Sequence, residues 1–298
     1  MNLPKITAKK IKDLKIQGAK AIAAASLNCL KKYAAGLKNA SPTNFNKKIR
    51  QAIGLLKQAR PTEPLNQNFL NYLAKQPLKA KTFIKSIEGL EKLLLKAEQA
   101  TVKNGLKIIK AKQNIFTHCH SGTVEKLLKA AKQSGKKFKV YNTETRPLFQ
   151  GRITAQKLSQ AGINITTLVD SAAAYTISDK SGDKIKINLV LLGADVILPD
   201  GSVINKIGSF GISLAAQGSK IPLYIVAELL RFAPGGKIPL EIRSSQEVWP
   251  NKPKNDKIIN FAFDKVPAKA ITGFICEFGV IKPSRVKQYF KKHYLWLK

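Results

Sequence analysis

With 298 residues, 44% hydrophobic and 23% charged, the chain has the make-up of a globular protein with a substantial core, neither disordered nor fibrous. No apolar run approaches the ~18 residues of a membrane helix, the lysine-rich start from Met1 to Asp13 is not a secretory signal, and Cys29, Cys119 and Cys276 are too few for a disulfide framework, so a soluble cytoplasmic protein is expected. The net charge of +34 favours anionic ligands, but only seven of the 52 basic residues are arginine and the excess runs along the whole chain, which argues against a dedicated nucleic-acid surface.

In chain order, the first 110 residues read as helices. Leu14, Ala21, Ala25 and Leu30 fall on roughly helical spacing, and Phe83, Ile84, Ile87, Leu90, Leu94 and Leu95 repeat at three and four with lysines between. Breaks fall at Ser41–Pro42 and at Arg60-Pro61-Thr62-Glu63-Pro64. From Asn114 the pattern changes to short β-rich runs: Asn114–Thr117, Lys137–Thr143, Ile163–Val169, Ile185–Leu192, Pro222–Ala227 and Ile271–Cys276. Helix-forming stretches such as Thr123–Ser134 and Ala155–Ala161 separate them, while the proline-rich Arg231–Phe261 reads mostly as loop. Strand alternating with helix predicts a parallel sheet covered on both faces. The expectation is an α/β protein, with a small N-terminal helical domain (1–111) and a Rossmann-like parallel-sheet domain (112–298) for catalysis and oligomerisation.

Ligands of open parallel sheets bind beyond the carboxyl ends of the strands. The first predicted strand runs into Thr117-His118-Cys119-His120-Ser121-Gly122 and the second into Thr143-Glu144-Thr145-Arg146-Pro147; later strands run into Asp170-Ser171, Gly193-Ala194-Asp195 and Glu228. Cys119 is flanked by two of three histidines and precedes a predicted helix start, features that lower a thiol pKa; the alternative is a buried structural cysteine. His118-Cys119-His120 lacks the spaced second pair of a zinc site, so no metal is expected. Asp195 follows an apolar run that would desolvate it and raise its pKa toward that of a general acid; the alternative is a helix cap or turn. The loop Asp200–Ser209, with Lys206 and Gly208 before a helix from about Ile212, suggests a phosphate cradle, though it matches no nucleotide fingerprint. Glu144 and Arg146 are candidates for a mutual ion pair.

These segments, with Phe261-Ala262-Phe263-Asp264 and Gly279-Val280-Ile281-Lys282-Pro283, resemble the ribose-1,5-bisphosphate isomerase branch of the superfamily that includes methylthioribose-1-phosphate isomerase and the regulatory subunits of translation initiation factor 2B. The isomerases look like Thr-His-Cys and Gly-Ala-Asp at two strand ends, and both are present here through Cys119 and Asp195. Thr143-Glu144-Thr145-Arg146-Pro147 and Asp170-Ser171-Ala172-Ala173 are closer to the bisphosphate branch than to the methylthioribose branch. Two positions depart from the family pattern. Arg-Gly-Ala is here Gln17-Gly18-Ala19, which removes a charged phosphate contact that Lys20 would have to replace, and Arg-Pro-Thr-Ala is Arg60-Pro61-Thr62-Glu63, which adds a carboxylate that must point away from a phosphate site.

The resemblance implies isomerisation of ribose 1,5-bisphosphate to ribulose 1,5-bisphosphate in AMP salvage, without cofactor or metal. Asp195 would be the acid and the Cys119 thiolate the base. Gln17, Gly18, Ala19, Arg60, Arg146 and Lys206 would hold the phosphates, and Asp170 and Asn205 the hydroxyls. It implies a homodimer or a hexamer built as a trimer of dimers, and leaves activation by AMP open. The alternatives are a non-catalytic factor-2B-like subunit that binds a nucleotide or sugar phosphate, and a methylthioribose-1-phosphate isomerase.

Overall fold

A computed structural model describes residues 2–76, 79–178, 185–236 and 238–297. The helical segment comprises α1 (Leu3–Lys12), α2 (Ala19–Gly36), α3 (Pro42–Ala59), α4 (Pro64–Ala74) and α5 (Ala80–Gly105). Pro42 and Pro64 open α3 and α4, where a missing N–H costs nothing, and Ser41 caps α3 by accepting from the Asn44 amide at 3.3 Å. One expectation fails here: Leu14 is not on the second helix. It has φ 58°, and Gly18, at φ 85°, takes the cap position from which α2 starts at Ala19. Residues 13–18 therefore form a loop.

The remainder runs β1 (Asn114–Thr117), α6 (Gly122–Gln133), β2 (Lys139–Thr143), α7 (Gln150–Gln160), β3 (Asn164–Leu168), α8 (Ala173–Ile177), β4 (Leu189–Leu192), β5 (Val196–Ile197), β6 (Val203–Lys206), α9 (Ser209–Gly218), β7 (Leu223–Val226), β8 (Ile242–Arg243), β9 (Asn260–Phe261), β10 (Phe263–Val266), β11 (Gly273–Cys276), β12 (Gly279–Ile281) and α10 (Val286–Tyr294). The main sheet has the order β12-β11-β7-β4-β1-β2-β3, parallel except for β12. Each of the six predicted strands is present, and the segment from Arg231 to Phe261 is mostly loop, as expected.

Alternation along the strands sorts the core into two layers. Ile115, Val140, Leu189 and Leu191 face Val124, Leu127, Leu128 and Leu158 of α6 and α7. Phe116, Tyr141, Val190 and Leu192 join a larger cluster that includes Leu27, Leu30, Leu70 and Phe83 of the helical segment. A second, antiparallel sheet, β10-β6-β5, is not foreseen: it pairs Asn205 with Asp264 and Lys206 with Phe263. Among the described residues no helix is long and apolar enough to cross a membrane.

The strand order reverses at β1, which lies between β2 and β4. Connections leave β1 and β4 in opposite directions and open a crevice beyond their carboxyl ends. Cys119 follows β1 and Asp195 follows β4.

Candidate functional site

A cavity of about 630 Å³ occupies this crevice, closed from the other side by the helical segment. Gln17, Gly18, Ala19, Arg60, Cys119, Asp195, Asn205 and Lys206 line it. Arg146 and Asp170 do not. Glu63, Arg231 and Arg243 also line the wall but had not been assigned roles; the scarcity of arginine was a usable signal, since three of the seven meet here. Gly193 lets the loops after β1 and β4 touch, because a Cβ there would lie 2.9 Å from Ser121 Cβ.

Cys119 sits in the left-handed region at φ 65°, a strained conformation for a side-chain-bearing residue and one that collects at functional sites. Its N–H donates to Thr145 Oγ1 at 3.0 Å and its carbonyl accepts from Thr154 Oγ1 at 2.8 Å. Asp170 acts one step behind: its carboxylate accepts the backbone N–H groups of Thr145 (2.8 Å) and Arg146 (2.6 Å). It fixes the loop that fixes Cys119. The Arg146 guanidinium donates to the Val248 carbonyl at 3.1 Å, and Glu144 pairs with Arg152 at 2.6 Å rather than with Arg146.

The expected depression of the Cys119 pKa is overturned. Burial pushes the thiol up to about 11, against the pull of the Lys206 charge. Neither histidine supplies positive charge, because burial lowers both, His118 to about 4. His118 Nε2–H donates to the Ile207 carbonyl at 2.8 Å, which leaves Nδ1 to accept from the Thr143 hydroxyl. Helix α6 does start beside Cys119, but Ser121 caps it.

Asp195 sits at the bend just before β5 rather than before a helix, so it is not a helix cap; its N–H donates to the Ile204 carbonyl at 3.0 Å. Burial raises its carboxyl pKa, opposed by Arg231, Lys206 and Arg60. Glu63 does not point away. It is 2% exposed, lines the cavity, and burial together with the Asp195 charge pushes it up to about 8. Arg60 pairs with Glu241 at 2.8 Å, and Arg231 with Glu228 at 3.1 Å.

Three expected anion contacts are otherwise engaged. Lys20 pairs with Glu98 and with Glu228, so it is no replacement for the missing arginine. The Gln17 amide donates to the Leu14 carbonyl at 2.9 Å, within its own loop. The amide of Gly208, in the supposed Asp200–Ser209 cradle, and that of Phe210 just beyond it donate to Asp264 at 2.7 and 2.9 Å. Lys206 remains at the wall, its ammonium 4.7 Å from the Phe263 ring centre.

Fold and site define an α/β protein with a cysteine and a carboxylic acid converging on one cavity at the switch point of a parallel sheet. The chain belongs to the initiation factor 2 subunit family, whose model matches residues 15–283. It is 37% identical to the ribose 1,5-bisphosphate isomerase of Methanocaldococcus jannaschii, over 100% of this chain and 97% of that protein. It is 32% identical to the methylthioribose-1-phosphate isomerase of Heliobacterium modesticaldum, over 92% of this chain and 86% of that one. Among solved structures, 5-methylthioribose 1-phosphate isomerase from Pyrococcus horikoshii OT3 superposes with a TM-score of 0.80 at 28% identity, covering 97% of this chain and 86% of that one. Translation initiation factor eIF-2B from the same organism gives 0.82 at 24% identity, covering 94% and 96%, and supports the fold alone. The resemblance carried by the motifs is borne out for family and fold.

Proposed function

We propose that this chain isomerises ribose 1,5-bisphosphate to ribulose 1,5-bisphosphate, with Cys119 as base and Asp195 as acid. The observation that carries this reading is that the two side chains, delivered by adjacent strands, line one cavity with Arg60 and Lys206. The names of four archaeal relatives, at 33–37% identity, support the substrate.

In this mechanism Asp195 protonates the ring oxygen while the Cys119 thiolate takes the proton from C2. The bond from C1 to the ring oxygen breaks and a C1–C2 double bond forms, leaving an enol that carries the C1 phosphate. The proton on sulfur returns to C1, and the enol hydroxyl gives its proton to the Asp195 carboxylate, which leaves the ketone and regenerates the acid. Each transfer contributes on the order of 10²–10⁴-fold. The working form needs a thiolate beside a protonated carboxyl. Because the thiol ionises near 11, that arrangement is a minor tautomer of the singly protonated pair, and a raised carboxyl pKa enlarges its share.

Arg60, Lys206 and the Gly18 and Ala19 amides would hold the phosphates, with Arg243 and Gln17 at the rim and Asn205 toward a hydroxyl. Asp170 has a positioning role, and Arg146 lies outside. The cavity would thus sit between a helical domain, 1–111, and a catalytic domain, 112–298. The reaction would follow a step that releases ribose 1,5-bisphosphate from AMP. Self-association of the catalytic domain, as a homodimer or as a hexamer built from three dimers, belongs to the same reading.

The test is conversion of α-ribose 1,5-bisphosphate by the full-length protein, with and without AMP, with methylthioribose 1-phosphate as the competing substrate. Turnover of the bisphosphate, lost by at least about 10²-fold in Cys119→Ser and Asp195→Asn variants that keep their circular dichroism, is the expected result. A folded wild type that turns over neither sugar would overturn it in favour of a binding subunit.

A further inference from the structure

The cations that line the cavity are Lys15, Lys20, Arg60, Lys206, Arg231 and Arg243. Four of them are paired with carboxylates: Lys20 with Glu98 and Glu228, Arg60 with Glu241, Arg231 with Glu228, and Arg243 with Glu247. Among the described residues that leaves two. Lys15 is exposed on the loop before α2, whereas Lys206 is half-buried at the end of β6. The Lys206 ammonium makes neither an ion pair nor a hydrogen bond among the described residues. What it meets is the face of the Phe263 ring, 4.7 Å from the ring centre.

The small antiparallel sheet builds this contact. Lys206 and Phe263 are directly opposed in the β6–β10 ladder, so their side chains leave the sheet on the same face. The ring packs in turn against the cluster of Val196, Leu198, Ile204 and Ala233, which fixes its place. Asp264, the next residue and hence on the other face, accepts the Gly208 and Phe210 amides and anchors the chain just after Lys206. Two neighbouring residues thus secure the backbone and the tip of one lysine.

A carboxylate and a ring hold an ammonium differently. A carboxylate would cancel the charge and occupy N–H donors that an incoming anion needs. The face of a ring attracts the cation through its quadrupole and leaves the unit charge whole. It also limits the wandering of a flexible four-carbon stem, whose ordering otherwise opposes binding.

We propose that Phe263 is a positioning residue whose ring holds the Lys206 ammonium in the cavity, with its charge uncancelled, for a phosphate of the substrate. The proposal deepens the isomerase reading and rests on it only for the identity of that anion.

The test exchanges Phe263, in the full chain, for phenylalanines carrying one, two and three ring fluorines. Fluorine withdraws electron density from the ring face and nearly keeps its shape, so the attraction weakens while the packing stays. Two quantities are followed: kcat/KM for α-ribose 1,5-bisphosphate, and the rate at which iodoacetamide alkylates Cys119 at pH 8, which the Lys206 charge favours. The value of kcat/KM should fall with each fluorine, by about 2- to 30-fold in all, the size of one cation–π contact. Alkylation should slow in the same order. With Lys206→Met in the same chain the alkylation series should be flat, because the ring has no cation left to hold. Phe263→Leu, with circular dichroism as the folding control, should match the trifluorinated ring. A merely structural ring leaves both series flat. An alkylation series that is flat with Lys206 present, or that keeps its slope in Lys206→Met, overturns the proposal. A sloped alkylation series beside a flat kcat/KM overturns the use of the ammonium on the substrate. If the wild type turns over no α-ribose 1,5-bisphosphate, the reaction assignment fails while the alkylation series still decides whether the ring holds the ammonium.

Discussion

Replacing Glu228 by glutamine tests the electrostatic clasp beneath the cavity. Glu228 is fully buried and accepts from three elements: Lys20 of α2 at 3.1 Å, Thr123 of α6 at 3.0 Å and Arg231 at 3.1 Å. Despite burial, Arg231 and Lys20 hold its carboxyl at about 2, against a reference of 4.5. That difference corresponds to about 3 kcal/mol of stability. The sign follows from the depressed pKa: the contribution is present above about 4.5 and is lost as the pH falls from there toward 2. Glutamine keeps the shape but takes the carboxylate away from the buried Arg231, while Lys20 keeps Glu98, and breaking a buried pair in this way costs about 3–5 kcal/mol. Urea unfolding at pH 7 should show a loss of that size, and the gap between wild type and variant should narrow at acid pH. A loss under about 1 kcal/mol at pH 7, or a gap independent of pH, would refute the reasoning. Lys20→Met should cost less, because Lys20 is 23% exposed and leaves Glu228 its arginine.

Alkylation by iodoacetamide should fall on Cys119, since Cys29 and Cys276 are buried, and its rate should climb with pH toward about 11; a plateau already reached at pH 8 would contradict the raised thiol pKa. Lys206→Met should slow that reaction at pH 8, because the ammonium is what favours the thiolate. Gly208→Ala should destabilise by at least about 1 kcal/mol in thermal or urea unfolding, since φ is +102° and the new Cβ would lie 3.2 Å from the His118 ring.

Much of the catalytic half was legible because parallel strands buried on both faces are written as short apolar runs. Asn114–Thr117 needed no correction at either end, and the polar residues following such runs led directly to Cys119 and Asp195. What escaped depends on contacts far apart in sequence. Strand β6 is a four-residue segment stabilised by β10, more than fifty residues later, so Asn205 and Lys206 read as loop. The loop Asp200–Ser209 reads as a phosphate cradle because Asp264, which takes up the Gly208 and Phe210 amides, comes from that same distant strand. The Cys119 thiol was misjudged for a related reason. Neighbouring histidines are visible in sequence, whereas the burial that outweighs them is the sum of everything packed around the site. Leu14 was misplaced because spacing alone does not reveal that Gly18 resets the backbone.

The large buried cluster runs from Ile11, in the first helix, to Leu297, near the end of the chain. Its members include Leu70 and Phe69 on α4, which packs against the segment after β7 and against the C-terminal turn. During synthesis the helical segment leaves the ribosome first, and the side of α4 that faces the later elements stays uncovered until they follow. The order of translation therefore opposes the order of closure at this one face: the helices can pack on one another early, while the side of α4 that meets the segment after β7 and the C-terminal turn is made early and covered late.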